Sequence, residues 1–310
     1  MKTSILYYFL ILFLLTNSVN AQDQEAYKHR SMYVDNFANV LGSYKNEKDL
    51  FDFAKKHEIT ELILYDLNKV NKRFWLGDST KNGVLANFIR KAKTEFGIKK
   101  ISASGESGGF FIEAIHPYNV SRKDKIERFD IYNLEYEYWN ELESKPGGYY
   151  CETYLKKGQL PCNRNNSFKY YIQSLEVMRM LADELDHGIL VEAYIGNFTK
   201  NEVNSIGAHV DRLLVHDYVK REEQIFPYVE KRLHLLEKIN SKIQVSILYS
   251  MESRFLGSYL KKHDFHEAEK RFFEELNHVD HDLDEHLKFR GFTYYNYGHF
   301  RYAENIKHRR

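Results

Sequence analysis

Eight short β-rich runs, separated in most gaps by amphipathic helical stretches, constrain this chain more than any other feature. The runs are 31–37, 61–67, 99–104, 128–136, 188–195, 212–218, 242–249 and 289–295. They are largely apolar rather than cleanly alternating, as strands are when helices cover the outside of the sheet. Helical spacing marks 48–56 (Leu50, Phe51, Phe53, Ala54), 82–96 (Val84, Leu85, Phe88, Ile89, Ala92), 168–185, 222–239 and 264–276. This order predicts an α/β fold, a (β/α)8 TIM barrel, at a length usual for one. A doubly wound open sheet is the alternative. However, no glycine-rich phosphate loop follows the first strand, where a dinucleotide-binding fold needs one.

The N-terminus reads as a targeting segment, with Lys2, an apolar run over 5–15 and a small-residue cleavage site, Val19-Asn20-Ala21, before Gln22. The run is short for a membrane span; a single N-terminal anchor is the alternative. The expectation is a signal peptide at 1–21, one barrel domain over 22–310, and a secreted or periplasmic protein with no stable membrane insertion. The chain has 45 Lys and Arg against 44 Asp and Glu, and Lys2 lies in the segment to be removed, so the remainder is formally neutral. A neutral chain argues against a nucleic-acid partner. Cys151 and Cys162 are the only cysteines, and in a secreted protein they predict a disulfide closing a small loop after strand 4.

The stretch FDIYNLEYEYW, 129–139, carries the chemistry. Residues i, i+2 and i+4 of a strand share one face, so Asn133, Glu135 and Glu137 point the same way from an otherwise apolar segment. Unpaired carboxylates are expensive in a core, whereas a catalytic or sugar-binding site uses them. Barrel chemistry sits at the C-terminal strand ends, and these ends are rich in polar and aromatic residues: Tyr65-Asp66, Ser102-Ala103-Ser104-Gly105-Glu106, Glu192-Ala193-Tyr194, His216-Asp217-Tyr218, Tyr249 and Tyr294-Tyr295-Asn296-Tyr297. The loop 140–166, with both cysteines, reads as a rigid wall of a cleft.

These residues resemble glycoside hydrolase family 18, which includes chitinases and endo-β-N-acetylglucosaminidases and carries D-x-x-D-x-D-x-E on strand 4 of a (β/α)8 barrel. The frame here is Asp130-Ile-Tyr-Asn133-Leu-Glu135-Tyr-Glu137. The first Asp and the final Glu are retained, and the two middle acidic positions are Asn133 and Glu135. Ser102-Ala103-Ser104-Gly105 is similar to the family's S-x-G-G turn, and Leu248-Tyr249-Ser250 is compatible with its strand 7. Two features depart from the family: Asp217-Tyr218 stands in reversed order, and strand 8 ends in tyrosines rather than a Trp. The resemblance implies hydrolysis of a β-linked N-acetylglucosamine-containing glycan, assisted by the substrate's own acetamide. It implies Glu137 as acid/base and Glu135 as the group that orients the acetamide. Asp130, Asn133, Asp217, Tyr218, Tyr249 and Tyr295 would bind substrate. Glu135 is one methylene longer than Asp, and a displacement of about 1 Å in such a group can cost about 100-fold.

Two other readings of the same residues stay open. One is a catalytically inactive carbohydrate-binding barrel. The other is structural, with Arg128 or Arg290 neutralising Glu135 and Glu137. The remaining signals are weaker. His278-Val-Asp280-His281-Asp282-Leu-Asp284-Glu285-His286 has metal-like spacing but precedes strand 8, the wrong side for the site, and reads as a solvated surface. Asp264 reads as a helix N-cap. Ser107 has G-x-S-x-G spacing, but 110–114 does not read as a helix start, which disfavours a nucleophile elbow. The sequence indicates no cofactor and no metal, and says nothing of oligomerisation.

Overall fold

The computed structural model describes residues 29–239, 242–279, 283 and 287–308. The 1–21 targeting segment, and Asp280, His281, Asp282, Asp284, Glu285 and His286 of the metal-like run, lie outside these. Eight parallel strands close into a barrel in sequential order: β1 (Arg30–Val34), β2 (Glu61–Leu64), β3 (Lys100–Gly105), β4 (Ile131–Leu134), β5 (Leu190–Ile195), β6 (Arg212–Asp217), β7 (Gln244–Ser250) and β8 (Lys288–Tyr295). β8 pairs back onto β1 through Arg30–Phe292, Ser31–Thr293 and Met32–Tyr294. The chain is therefore a single-domain (β/α)8 barrel, as the alternation predicts.

The principal outer helices are α1 (Tyr44–Lys56), α2 (Leu67–Phe74), α3 (Gly83–Glu95), α4 (Arg164–Asp183), α5 (Lys200–Gly207), α6 (Ile225–Glu237), α7 (Phe265–Val279) and α8 (Tyr297–Lys307). Their starts follow local chemistry. Ser43, Asn163 and Asn296 cap α1, α4 and α8 with side-chain acceptors. Thr199 and Glu202 form a reciprocal capping box on α5. Asp264 accepts from His266 N at 3.0 Å at the start of α7, as expected of a cap. One expectation fails: residues 108–121 are helical, with a π turn at Phe111–Ile115. Ser107 caps this stretch by accepting from Phe110 N, so its hydroxyl is engaged in the turn.

Strand alternation sorts the side chains into two cores. Outward residues such as Leu62, Ile101, Tyr132, Val191, Leu213 and Ile247 pack on the helices. Inward, a small apolar layer of Tyr33, Ile63, Tyr194, Leu214 and Leu248 fills the lumen. Beneath it lies a buried charge network. Arg212 donates to Glu61 at 3.0 Å and to Gln244 at 3.2 Å, and lies 3.9 Å from Glu192. Arg290 pairs with the same Glu61 and donates to Gln244 at 3.2 Å. Outside the barrel, Arg30 of β1 holds Glu269 of α7 through two hydrogen bonds of 2.8 and 2.7 Å, which docks that helix.

The lumen network makes one prediction. Arg212→Met leaves Glu61 and Glu192 buried without their shared cation, and removing one partner of a buried pair costs about 3–5 kcal/mol. Urea unfolding should show a loss of that size, and a loss below about 1 kcal/mol would mean the network is not a determinant of the fold.

Candidate functional site

β4 stops pairing at Leu134, but the chain continues extended, and Glu135 N donates to Gly105 O at 2.9 Å. Glu135 and Glu137 therefore stand at the C-terminal rim, on the face that carries Asn133 below. The intervening Tyr132, Leu134 and Tyr136 pack outward. Glu135 accepts from Ser104 Oγ at 3.3 Å. Glu137 accepts from Tyr194 Oη at 3.1 Å and Asn140 Nδ2 at 3.3 Å, and its backbone N–H donates to Tyr150 Oη at 3.0 Å.

Neither carboxylate is neutralised by the arginines that the structural reading requires. Arg290 is committed to Glu61 and Gln244, and Arg128 to Arg122 O, His187 and Asp186. Burial pushes the Glu135 carboxyl up to about 8, and the neighbouring charges of Glu106, Glu137 and Asp66 act in the same direction. The site thus holds a neutral carboxyl at Glu135 beside a Glu137 side chain that accepts from a phenol and an amide, a pair suited to moving one proton.

The walls are aromatic. The Tyr218 ring lies 5.1 Å from Phe255 and 6.2 Å from Tyr295, and Tyr295 lies 5.3 Å from Tyr33. Burial and then the charge of Glu135 raise the phenols of Tyr218 and Tyr295, which places both rings beside that carboxyl. Trp139 packs edge-on against Tyr194, with centroids 5.1 Å apart. A Cβ at Gly196 would collide with this indole, so only glycine admits it there. Burial, with a smaller effect of Arg232, holds His216 down to about 3, as a neutral ring tilted against Tyr218 with centroids 4.0 Å apart. A cavity of about 330 Å³ opens on the β2–β3 side, lined by Tyr65, Asp66, Ser104, Glu106, Tyr149 and Tyr154 among others.

Of the site residues expected from sequence, the structure brings Glu135, Glu137, Tyr218 and Tyr295 together, and four lie elsewhere. Asp130 is at the opposite, N-terminal end of β4, where it accepts from Ile101 N at 2.8 Å and pairs with Lys93 at 2.8 Å. Asn133 is fully buried in the floor, bonded to Glu192 at 2.9 Å and to Tyr33 at 3.3 Å, so it supports the site without reaching a ligand. Asp217 and Tyr249 are register partners on the outward faces of β6 and β7. Both are fully buried, with Tyr249 stacked on Phe292 at 5.3 Å. The reason is parity: if Tyr218 faces the lumen, the adjacent Asp217 cannot.

The expected disulfide is present between Cys151 and Cys162, with Cα atoms 5.1 Å apart. The loop 140–166 around it supplies Tyr149, Tyr150 and Tyr154, which are not among the site residues expected from the sequence; neither are Glu106 after β3 and Tyr194 on β5. Glu106 had a readable signal. Ser102, Ser104 and Glu106 alternate on β3 as Asn133, Glu135 and Glu137 do on β4. Among the described residues, no group of three or more His, Cys, Asp or Glu is placed to hold a metal ion.

No family model matches this sequence, and no curated protein matches it. Solved structures do match. The ICChI chitinase from Ipomoea carnea aligns at TM-score 0.50 and 11% identity, over 90% of this chain and 98% of that one. A family 18 chitinase from Crocus vernus aligns at 0.46 and 9% identity, over 90% and 98%. Dihydrodipicolinate synthase from Agrobacterium tumefaciens aligns at 0.45 and 7% identity, over 91% and 74%. At such identities the likeness shows the barrel and nothing finer.

The Glu135 environment predicts a pH dependence of stability. An unfolded Glu titrates near 4.3, whereas Glu135 in the fold titrates at about 8. Because its folded value is raised, its contribution is fully present below about pH 4.3 and is lost as the pH rises towards 8. Glu135→Gln, neutral throughout, should remove that loss. Urea midpoints between pH 5 and 8 should fall more steeply for the parent than for the variant, and parallel profiles would contradict the assignment.

Proposed function

We propose that the protein is a glycoside hydrolase-like barrel acting on β-linked N-acetylglucosamine-containing glycans. The observation that supports this most directly is the pair Glu135 and Glu137, side by side at the C-terminal rim of a tyrosine-walled cleft, with no basic side chain among the described residues bonded to either. A pyranose stacks on phenol rings, and its acetamide needs an acceptor and a donor beside the anomeric carbon. Tyr218 and Glu135 are those groups. In this mechanism the resting proton sits on Glu135. It passes to Glu137 and from there to the glycosidic oxygen as the bond to the anomeric carbon breaks. Glu135, now ionised, accepts the acetamide N–H while the acetamide oxygen bonds to the anomeric carbon. Water opens that intermediate, with Glu137 as base. The Cys151–Cys162 disulfide fits the oxidising compartment that a secreted or periplasmic protein would occupy.

The methylene that lengthens Glu135, and the loss of a carboxylate at Asn133, favour a second reading in which the same cleft binds a glycan without cleaving it. Reducing-end release from chitin oligomers and N-glycans separates the two. Turnover should be measurable in the parent, fall about 10²- to 10⁴-fold in Glu137→Gln, and decline above about pH 8 as Glu135 loses its proton. Absence of turnover, with glycan binding that survives Glu137→Gln, would assign the binding reading.

A further inference from the structure

Glu106 has no role in the mechanism above, yet like Glu137 it is a rim carboxylate that accepts two side-chain hydrogen bonds. It follows β3, and its Oε2 accepts from two phenols at once: Tyr149 Oη at 2.7 Å and Tyr154 Oη at 2.5 Å. No ion pair among the described residues involves it. Both phenols belong to the loop 140–166: Tyr154 lies inside the ring closed by Cys151–Cys162, and Tyr149 stands two residues before its first cysteine. Between them in sequence stands Tyr150, whose hydroxyl accepts from Glu137 N at 3.0 Å and whose ring lies 4.2 Å from Tyr136. The disulfide shortens the loop, and the two carboxylate bonds to Glu106 tie it to the end of β3; such charge-assisted bonds are roughly twice as strong as neutral ones.

We propose that Glu106 is a positioning residue: its carboxylate pins the disulfide-closed loop to the β3 end, and through Tyr150 that loop holds Glu137 in place for its work on the glycan. The role rests on the glycosidase reading for its catalytic consequence, but the pinning stands without it. Glu106 has a second effect by proximity. The charged groups that face Glu135 are Glu106 from β3, Glu137 from its own segment and Asp66 from the end of β2. The remaining neighbours are Ser104 and the phenols of Tyr33, Tyr65, Tyr194, Tyr218 and Tyr295. Removing the Glu106 charge eases ionisation of Glu135.

Two variants test this in the disulfide-intact protein. Glu106→Ala deletes the clamp, whereas Glu106→Gln keeps an acceptor for one phenol and removes the charge. Limited proteolysis of residues 140–166 should be about tenfold faster in Glu106→Ala, with partial protection restored in Glu106→Gln. On chitin oligomers, kcat should fall about 10- to 100-fold in Glu106→Ala with a smaller change in KM, as expected of a misplaced reacting group. The alkaline limb of the pH profile should move to lower pH in both variants. Unchanged loop protection in Glu106→Ala overturns the proposal, whether or not the parent turns over. Loss of protection with an unmoved kcat and pH profile in an active parent reduces Glu106 to a loop anchor and overturns the positioning role. A parent without turnover fails the glycosidase reading alone, and loop protection then decides the pinning. If Glu106→Ala does not fold, the comparison of Glu106→Gln with the parent carries the same outcomes.

Discussion

A barrel of eight parallel strands must fill its own lumen, and in this protein the lumen is filled at one end by charge. Arg212 and Arg290 converge on Glu61, and Arg212 also faces Glu192, all on inward strand positions. Glu61, Glu192 and Arg212 are buried and Arg290 is partly buried, so the buried charges depend on one another for their solvation. The network ties β2, β5, β6 and β8 together, and Asn133 extends it into β4 by donating to Glu192. Asn133 in turn accepts from Tyr33. The floor under the cleft is therefore a layer of hydrogen bonds joined by the Arg212–Glu192 ion pair, and the carboxyls of Glu135 and Glu137 stand above it.

The opposite rim is organised by a different balance. There the acidic groups outnumber their basic partners, and the compensating donors are phenols and amides: Tyr194 and Asn140 for Glu137, Tyr149 and Tyr154 for Glu106. Burial, and then the like charges of Glu106, Glu137 and Asp66, raise the Glu135 carboxyl to about 8, with no cation bonded to it among the described residues to oppose them. The floor pairs its charges within the fold, and the rim leaves its charges incompletely paired.

The shared position of Glu135 and Glu137 is legible because a two-residue spacing on one strand needs no knowledge of other strands, and Tyr218 and Tyr295 stand at the rim as strand-end aromatics do. Asp217 and Tyr249 were placed in the cleft by likeness to a motif, although alternation from Tyr218 sends Asp217 outward. Asp130 was assigned to the site by its place in the same motif, but it lies four residues before the last paired residue of β4, at the far end of the barrel. Glu192, expected at the C-terminal end of strand 5, lies within β5 and faces the lumen, and its contacts with Arg212, and those of Arg212 with Glu61, leave no sequence signal because the partners come from strands far apart in the chain.

The sequence by itself determined the alternation of strand and helix, the closed barrel that this alternation favours, the disulfide and the common face of Asn133, Glu135 and Glu137. All of these rest on local periodicity or on residue counts, which are properties of short windows. Tertiary structure alone decided which partner each carboxylate receives. That choice depends on which strands become neighbours around the barrel and on where the 140–166 loop folds back. Such contacts link residues dozens of positions apart and leave no periodic trace in the chain.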